Sequence, residues 1–333
     1  MRLAVLSGAT LAVLAGGCWG ALALWYQPPS APRARVLLPG AWLLLCGAAL
    51  LSLWCGAAWL AVALLGPAAA ALLLWWTKLR PSNACDWADE VAQMGHAEVL
   101  GDEVTVHNVR NFLWRSREDY TIRWEVRRYD LRRLVSLDMI TSYWEGPAIA
   151  HVLFSFGFSD GERLVFSVEI RRRRGQAYSE LGGFFRAYNL SVIAADERDI
   201  IYLRTNVRKE DDYLFHVRLP QANVRALFLA YLSQANALRQ TPRFYNTLTV
   251  NCTTLVYRMM RHIVGGLPLD VRLLLSGYLP GYVYAVGGLD QRYTLEQLRA
   301  FGRITQRARQ AGYGGEFSAA IRAGIPPLPA ATA

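Results

Sequence analysis

The sequence predicts an α+β domain preceded by N-terminal transmembrane helices. Three observations carry that reading. Residues 3–76 collect most of the apolarity of a chain that is 53% hydrophobic, in uncharged runs of membrane-spanning length. Residues 97–170 show strand patterning, with alternating apolar and polar positions in their clearest segments. Residues 221–239, 252–264 and 294–309 instead space their apolar positions as helices do. Strands followed by helices, rather than interleaved with them, argue α+β.

Taken in order, residues 3–25 carry no charge and are long enough to cross a bilayer of roughly 30 Å. Trp25 and Tyr26 follow where interfacial aromatics belong. A secretory signal peptide is the competing reading, because Arg2 precedes the run and Ala15, Gly16, Gly17 and Cys18 faintly resemble a lipoprotein cleavage site. Apolarity continues well past Cys18. A second uncharged run, 36–76, is too long for one span and suits two, at about 36–54 and 57–76, with a turn near 52–56. The membrane region is thus 1–80 and the soluble domain 82–333, its core about 100–300. Three spans place that domain on the opposite side of the membrane from the N-terminus. Arg2, Arg33, Arg35, Lys78 and Arg80 are split between the two sides, so charge alone leaves the topology undecided.

The net charge of +10 comes almost wholly from arginine, with Lys78 and Lys209 the only lysines. Beside membrane spans, an anionic lipid surface explains a basic excess better than nucleic acid does, and no nucleic-acid motif competes. Cys18, Cys46 and Cys55 lie in apolar stretches, leaving Cys85 and Cys252 in the soluble part. Two such cysteines are no disulfide framework, and Cys85 reads as incidental. His96, His107, His216 and His262 lack metal-ligand spacing, so neither metal nor cofactor is expected. The Pro/Ala-rich end, 324–333, reads as frayed.

Residues 151–170 form the clearest hairpin. Val152, Phe154, Phe156 and Phe158 share one face, with His151, Ser155 and Gly157 on the other. In the returning strand Leu164, Phe166, Val168 and Ile170 are apolar, while Ser167 and Glu169 face the reverse side. A two-residue Asp160–Gly161 turn would mismatch these faces; a three- or four-residue connection or a bulge aligns them. That register sets Glu169 beside His151, where a carboxylate fixes the imidazole tautomer. About a hundred residues later comes YNTLTVNCTT, 245–254. Asn251 suits an N-cap, an apolar helix 255–263 follows, and Cys252 would take the first helical position. There the helix dipole favours a thiolate, and free N–H groups can hold an oxyanion. Cysteine on a helix start with histidine on a separate strand is what thiol acyl-transfer chemistry requires.

Each residue also has a structural reading. A lone cysteine opening a helix is often packing, and a histidine on a polar strand face is often simply hydrogen-bonded. Glu169 could be only part of a salt-bridged edge. Arg171, Arg172, Arg173 and Arg174 read as a solvated or lipid-facing run.

Taken together, 109–112, 151–158, 167–170, 196–199, 203–205 and 245–254 resemble the Lnb periplasmic-domain family of lipoprotein N-acyltransferases over about 82–300. The resemblance implies a permuted papain-like (NlpC-type) domain with His before Cys. It implies Cys252 as nucleophile and His151 as base, with Glu169, Asn251 and Tyr245 matching the pattern and Thr253 and Ser167 as neighbouring supporting residues. It further implies a multi-pass protein of the bacterial inner membrane whose domain faces the periplasm. The activity implied is transfer of a phospholipid acyl chain, through a thioester, to the amine of a lipoprotein. In Lnb itself membrane spans follow the domain; here they precede it, which leaves the acceptor open. Two rivals stand beside this expectation: a thiol hydrolase or amidase acting on lipid or cell-wall substrate, and a non-catalytic membrane-tethered binding module.

Overall fold

The computed structural model describes residues 2–27, 33–314 and 316–329. The chain divides into two compact units, one of residues 1–82 and 178–188, the other of 83–177 and 189–333.

The first unit holds α1 (Arg2–Tyr26), α2 (Ala34–Trp54) and α3 (Ala58–Lys78). All three are long and apolar enough to cross a membrane. Residues 55–57 join α2 to α3, within a residue of the expected turn. Trp42, Cys46 and Leu72 form the small buried cluster among these helices. Gly20 leaves room for the Trp42 ring, whose Nε1 donates to the Gly17 carbonyl at 3.0 Å. A buried indole N–H is thereby satisfied where water is scarce. Residues 178–188 add a short 3₁₀ turn, Leu181–Phe185, to this unit.

The second unit is a mixed α/β domain. Its strands are β1 (His96–Leu100), β2 (Glu103–Arg110), β3 (Leu113–Trp114), β4 (Tyr120–Thr121), β5 (Trp124–Asp130), β6 (Leu134–Tyr143), β7 (His151–Phe158), β8 (Arg163–Arg171), β9 (Asn189–Ala195) and β10 (Asp211–His216). Eight of them form one sheet in the order β1-β2-β9-β8-β7-β6-β10, with β5 on β2, and β3 pairs with β4 apart from it. The helices are α4 (Glu197–Tyr202), α5 (Gln221–Gln240), α6 (Thr254–Val264), α7 (Leu279–Ala285), α8 (Leu295–Gly302), α9 (Thr305–Ala311) and α10 (Phe317–Arg322).

Strand alternation gives the sheet two buried faces. Val152, Phe154, Phe156, Phe166 and Val168 pack with Phe228 and Tyr231 of α5 and Leu255 of α6. Leu153, Val165 and Ile193 pack on the other side with Ile200 of α4, Ala308 of α9 and Ile321 of α10. The β7–β8 ladder pairs Leu153 with Ser167 and Gly157 with Arg163. Phe158 N donates to the Glu162 carbonyl at 3.0 Å, so the connection is the three residues 159–161, with Gly161 at φ +90°. Glycine suits that left-handed position.

Two expectations are corrected. Residues 294–309 are not one helix. α8 ends at Gly302, where any Cβ would collide with the Leu214 carbonyl; Arg303 then bridges Tyr213, and Ile304 N donates to the Asp212 carbonyl at 2.9 Å. The open edge of β10 captures this backbone and interrupts the helix. The arginine run 171–174 is solvated only in its second half: Arg173 and Arg174 are exposed, whereas Arg171 and Arg172 are not. Arg171 is buried, donates to the carbonyls of Val91 and Ala92 at 2.9 and 2.7 Å, and lies 4.4 Å above the Trp87 ring. Arg172 pairs with Glu90, and Arg174 pairs with Asp86 and Asp89. The acidic residues of 86–90, weakly patterned in sequence, are what pair with Arg172 and Arg174.

Candidate thiol–imidazole site

His151 opens β7, just beyond the last paired residues of the β7–β8 ladder. β8 carries on to Arg171, held by β9. Where backbone pairing with β7 stops, side chains take over. The His151 Nε2 lies 2.7 Å from Ser167 Oγ and 3.1 Å from Glu169 Oε1. Ser167 Oγ donates to Glu169 Oε1 at 2.7 Å. A serine has one hydroxyl proton to give, so His151 Nε2–H is the donor to Ser167. That arrangement fixes the tautomer and leaves Nδ1 for another partner.

Cys252 lies near enough to the His151 ring to help raise its pKa. Burial and the Arg204 cation oppose charge on the ring. The Glu169 carboxylate, through its charge and its hydrogen bond and with Cys252 beside the ring, outweighs them and raises the His151 pKa to about 9. Glu169 moves the other way: burial pushes it up, but His151 and then Arg204 and Ser167 hold it well below the usual carboxylate range. The ring beside Cys252 is therefore an imidazolium at neutral pH.

Cys252 is buried beside Tyr231, Leu255 and Val256, in a turn built by Asn251. Asn251 Oδ1 accepts from Thr253 N at 3.0 Å and Thr254 N at 2.8 Å, and the Asn251 carbonyl accepts from Leu255 N at 3.1 Å. Asn251 thus makes the expected cap bonds. Thr253 Oγ1 donates to Asn251 Oδ1 at 2.9 Å and contacts the Leu273 carbonyl at 2.5 Å, pinning the turn to the core. Two details differ from expectation. α6 begins at Thr254, so Cys252 sits in the capping turn instead of the first helical position. The N–H groups of Thr253 and Thr254 are also taken by Asn251, so they are not free for an oxyanion. The asparagine that forms the cap is what consumes them. Tyr245 packs against the same core as Cys252.

Sequence reasoning missed what lies behind Glu169. Residues 203–208 form a π-helical turn, a wide coil frequent at functional sites. It carries Arg204, whose guanidinium contacts Glu169 Oε1 at 3.2 Å and Glu210 Oε2 at 3.0 Å. Ser142 Oγ lies 2.5 Å from both Glu210 Oε2 and Asp212 Oδ1. One hydroxyl proton cannot serve both carboxylates, so one of them must bring its own. Asp212 is that group: burial, with Glu210 and Asp211, pushes its pKa up to about 7 against Ser142 and Arg204. Asp212, Ser142 and His151 follow one another across β10, β6 and β7 by strand register. A continuous line of polar side chains therefore runs from Asp212 to Cys252. Arg204 lies in the 203–205 segment already singled out; Ser142, Glu210 and Asp212 had no signal of their own. Among the described residues no His/Cys/Asp/Glu group forms a metal cluster.

The fold and site define a class: a mixed α/β domain with a hydrogen-bonded imidazole and carboxylate and a thiol beside them, on a chain with three helices of membrane length. The family follows from comparison with known proteins. The model of the Lnb N-terminal periplasmic domain matches residues 120–277. The resemblance read from the sequence is shown over that span, which contains His151, Glu169, Arg204 and Cys252, on a chain with three helices long and apolar enough to cross a membrane. No curated protein and no solved structure matches the chain.

Proposed function

We propose that this protein is a membrane-anchored, cysteine-dependent acyltransferase, with residues 1–80 as anchor and 82–333 as a permuted papain-like catalytic domain facing the periplasm from the bacterial inner membrane. The observation that carries this reading is the nearness of Cys252 to His151, whose ring is held from behind by Ser167 and Glu169. A protonated imidazole beside a thiol favours the thiolate–imidazolium pair that thiol acyl chemistry uses.

In the first half-reaction the Cys252 sulfur attacks the ester carbonyl of a phospholipid. The His151 proton passes to the departing alkoxide, giving a lysophospholipid and an acyl-thioester on Cys252. In the second, neutral imidazole takes a proton from the attacking amine of a lipoprotein's N-terminal cysteine. The amide forms, and the sulfur leaves as thiolate. Glu169 keeps the ring oriented and stabilises its charged form through both steps.

The test is intact mass spectrometry of the full chain in phospholipid vesicles. An acyl adduct is expected on the wild type and absent from Cys252→Ala, with the fold unchanged by circular dichroism. Turnover retained in Cys252→Ala ends the proposal. Offering the trapped adduct an N-terminal cysteine peptide or water then separates transfer from hydrolysis: amide on the peptide supports a transferase, and free fatty acid alone means a hydrolase.

A further inference from the structure

The eleven residues 178–188 interrupt the β8–β9 connection and belong to the helical unit. They seat on the ends of two helices of membrane length. Tyr26, the last residue of α1, hydrogen-bonds through its hydroxyl to Ser179 Oγ at 2.8 Å and stacks on Phe185 at 5.7 Å. Gln27 donates to the Arg186 carbonyl. Near the end of α3, Arg186 donates to the Trp76 carbonyl at 2.7 Å and lies 4.6 Å over the Trp76 ring. Trp25, Tyr26, Trp75 and Trp76 cluster at these same ends, the composition of a membrane–water interface. The insertion is therefore fixed at interfacial depth.

Its own side chains are sorted accordingly. Gly182, Gly183 and Phe185 are buried. Leu181 and Phe184 are 53% and 37% exposed. Three residues apart in a 3₁₀ turn, they project from one side. Two large apolar side chains presented together at the level of the aromatic belt fit a lipid phase better than water. We propose that residues 181–185 are an interfacial lipid-inserting element, with Leu181 and Phe184 seated among phospholipid acyl chains at the headgroup boundary. This goes beyond the catalytic reading and does not depend on it.

The experiment replaces Leu181, Phe184, Leu44 or Glu118 singly by a photoreactive benzoylphenylalanine in the full chain, reconstituted in phosphatidylethanolamine–phosphatidylglycerol vesicles. Leu44 is 77% exposed on α2, and Glu118 is exposed in the turn between β3 and β4. After irradiation, intact mass spectrometry is expected to find phospholipid adducts at 181 and 184 near the Leu44 yield and several-fold above Glu118. Adducts no more frequent than at Glu118, or cross-links to a second copy of the chain in place of lipid, overturn the proposal. Running the series in the Cys252→Ala background keeps the result separate from the fate of the acyl-enzyme.

Discussion

Among single residues, the site is a problem in placing protons. His151 gains its charge from Glu169 and gives one hydrogen bond to Ser167, so Glu169→Gln is the most informative substitution. It removes the charge but keeps the shape, and the imidazolium loses its main support. The wild-type reaction, which needs a protonated ring for the leaving group, is expected to fall as pH rises through about 9. In Glu169→Gln that alkaline limb moves to lower pH, with a loss of roughly one to two orders of magnitude in the rate of acyl-enzyme formation near neutrality. A pH–rate profile checks both, and an unmoved limb contradicts the role given to Glu169. The same shift bears on stability. A raised folded pKa contributes fully below the ordinary histidine value near 6.5 and is lost through about 9. Of this site, Cys252 and His151 were legible because cysteine and histidine are rare here, five of each, and Glu169 because strand register set it beside His151. Arg204 was marked only as part of a motif, and Ser142 not at all, because a serine among strand residues carries no signal until its neighbours across the sheet are known.

Within single elements, the capping turn before α6 decides how Cys252 is presented. Asn251 supplies the acceptor for two backbone N–H groups and one threonine hydroxyl. Asn251→Ala is expected to cost about 1 kcal/mol of stability, measured by thermal unfolding, and to slow thiol alkylation beyond what that loss explains. Unchanged alkylation would leave Asn251 a purely structural cap. Sequence periodicity located this helix and its cap residue to within the usual uncertainty of helix ends. It failed at 294–309 because helical spacing is a local property. The demand of β10 for an edge partner arises only once the sheet exists, and it interrupts the helix at Arg303 and Ile304.

In the molecule as a whole, a second charged cluster ties the last helix to the sheet. Arg322 bridges Asp138 at 2.6 Å and Glu197 at 2.5 Å, both carboxylates fully buried. Arg322→Met leaves buried Glu197 without a cation and Asp138 with only Arg163 and His216, and is expected to cost about 3–5 kcal/mol, read as a lowered unfolding midpoint at pH 7. At acid pH the penalty shrinks, because the Asp138 and Glu197 pKa values, depressed in the wild type mainly by Arg322 against burial, no longer are. Wild-type stability from these groups is present above the ordinary carboxylate range and lost as pH falls through their lowered values. An equal penalty at pH 4 and pH 7 would contradict this account. Glu197 was marked only within the 196–199 segment, and none of the ion pairs was foreseen. Ion pairs across 125 or more positions leave no periodic trace, whereas apolar runs of membrane length announce the three helices at once.

The three residues that join β7 to β8 begin eight positions from His151, some 26 Å away along the strand. Their number nevertheless belongs to the chemistry. With three, His151 and Glu169 fall on the same side of the sheet and in line with each other. With two, every side chain of one strand would swap sides relative to the other, and the carboxylate would face a hydrophobic core while the imidazole kept none. Loop length at the far end of the ribbon is thus a hidden specification of the reactive centre, as binding as the identity of any residue in it.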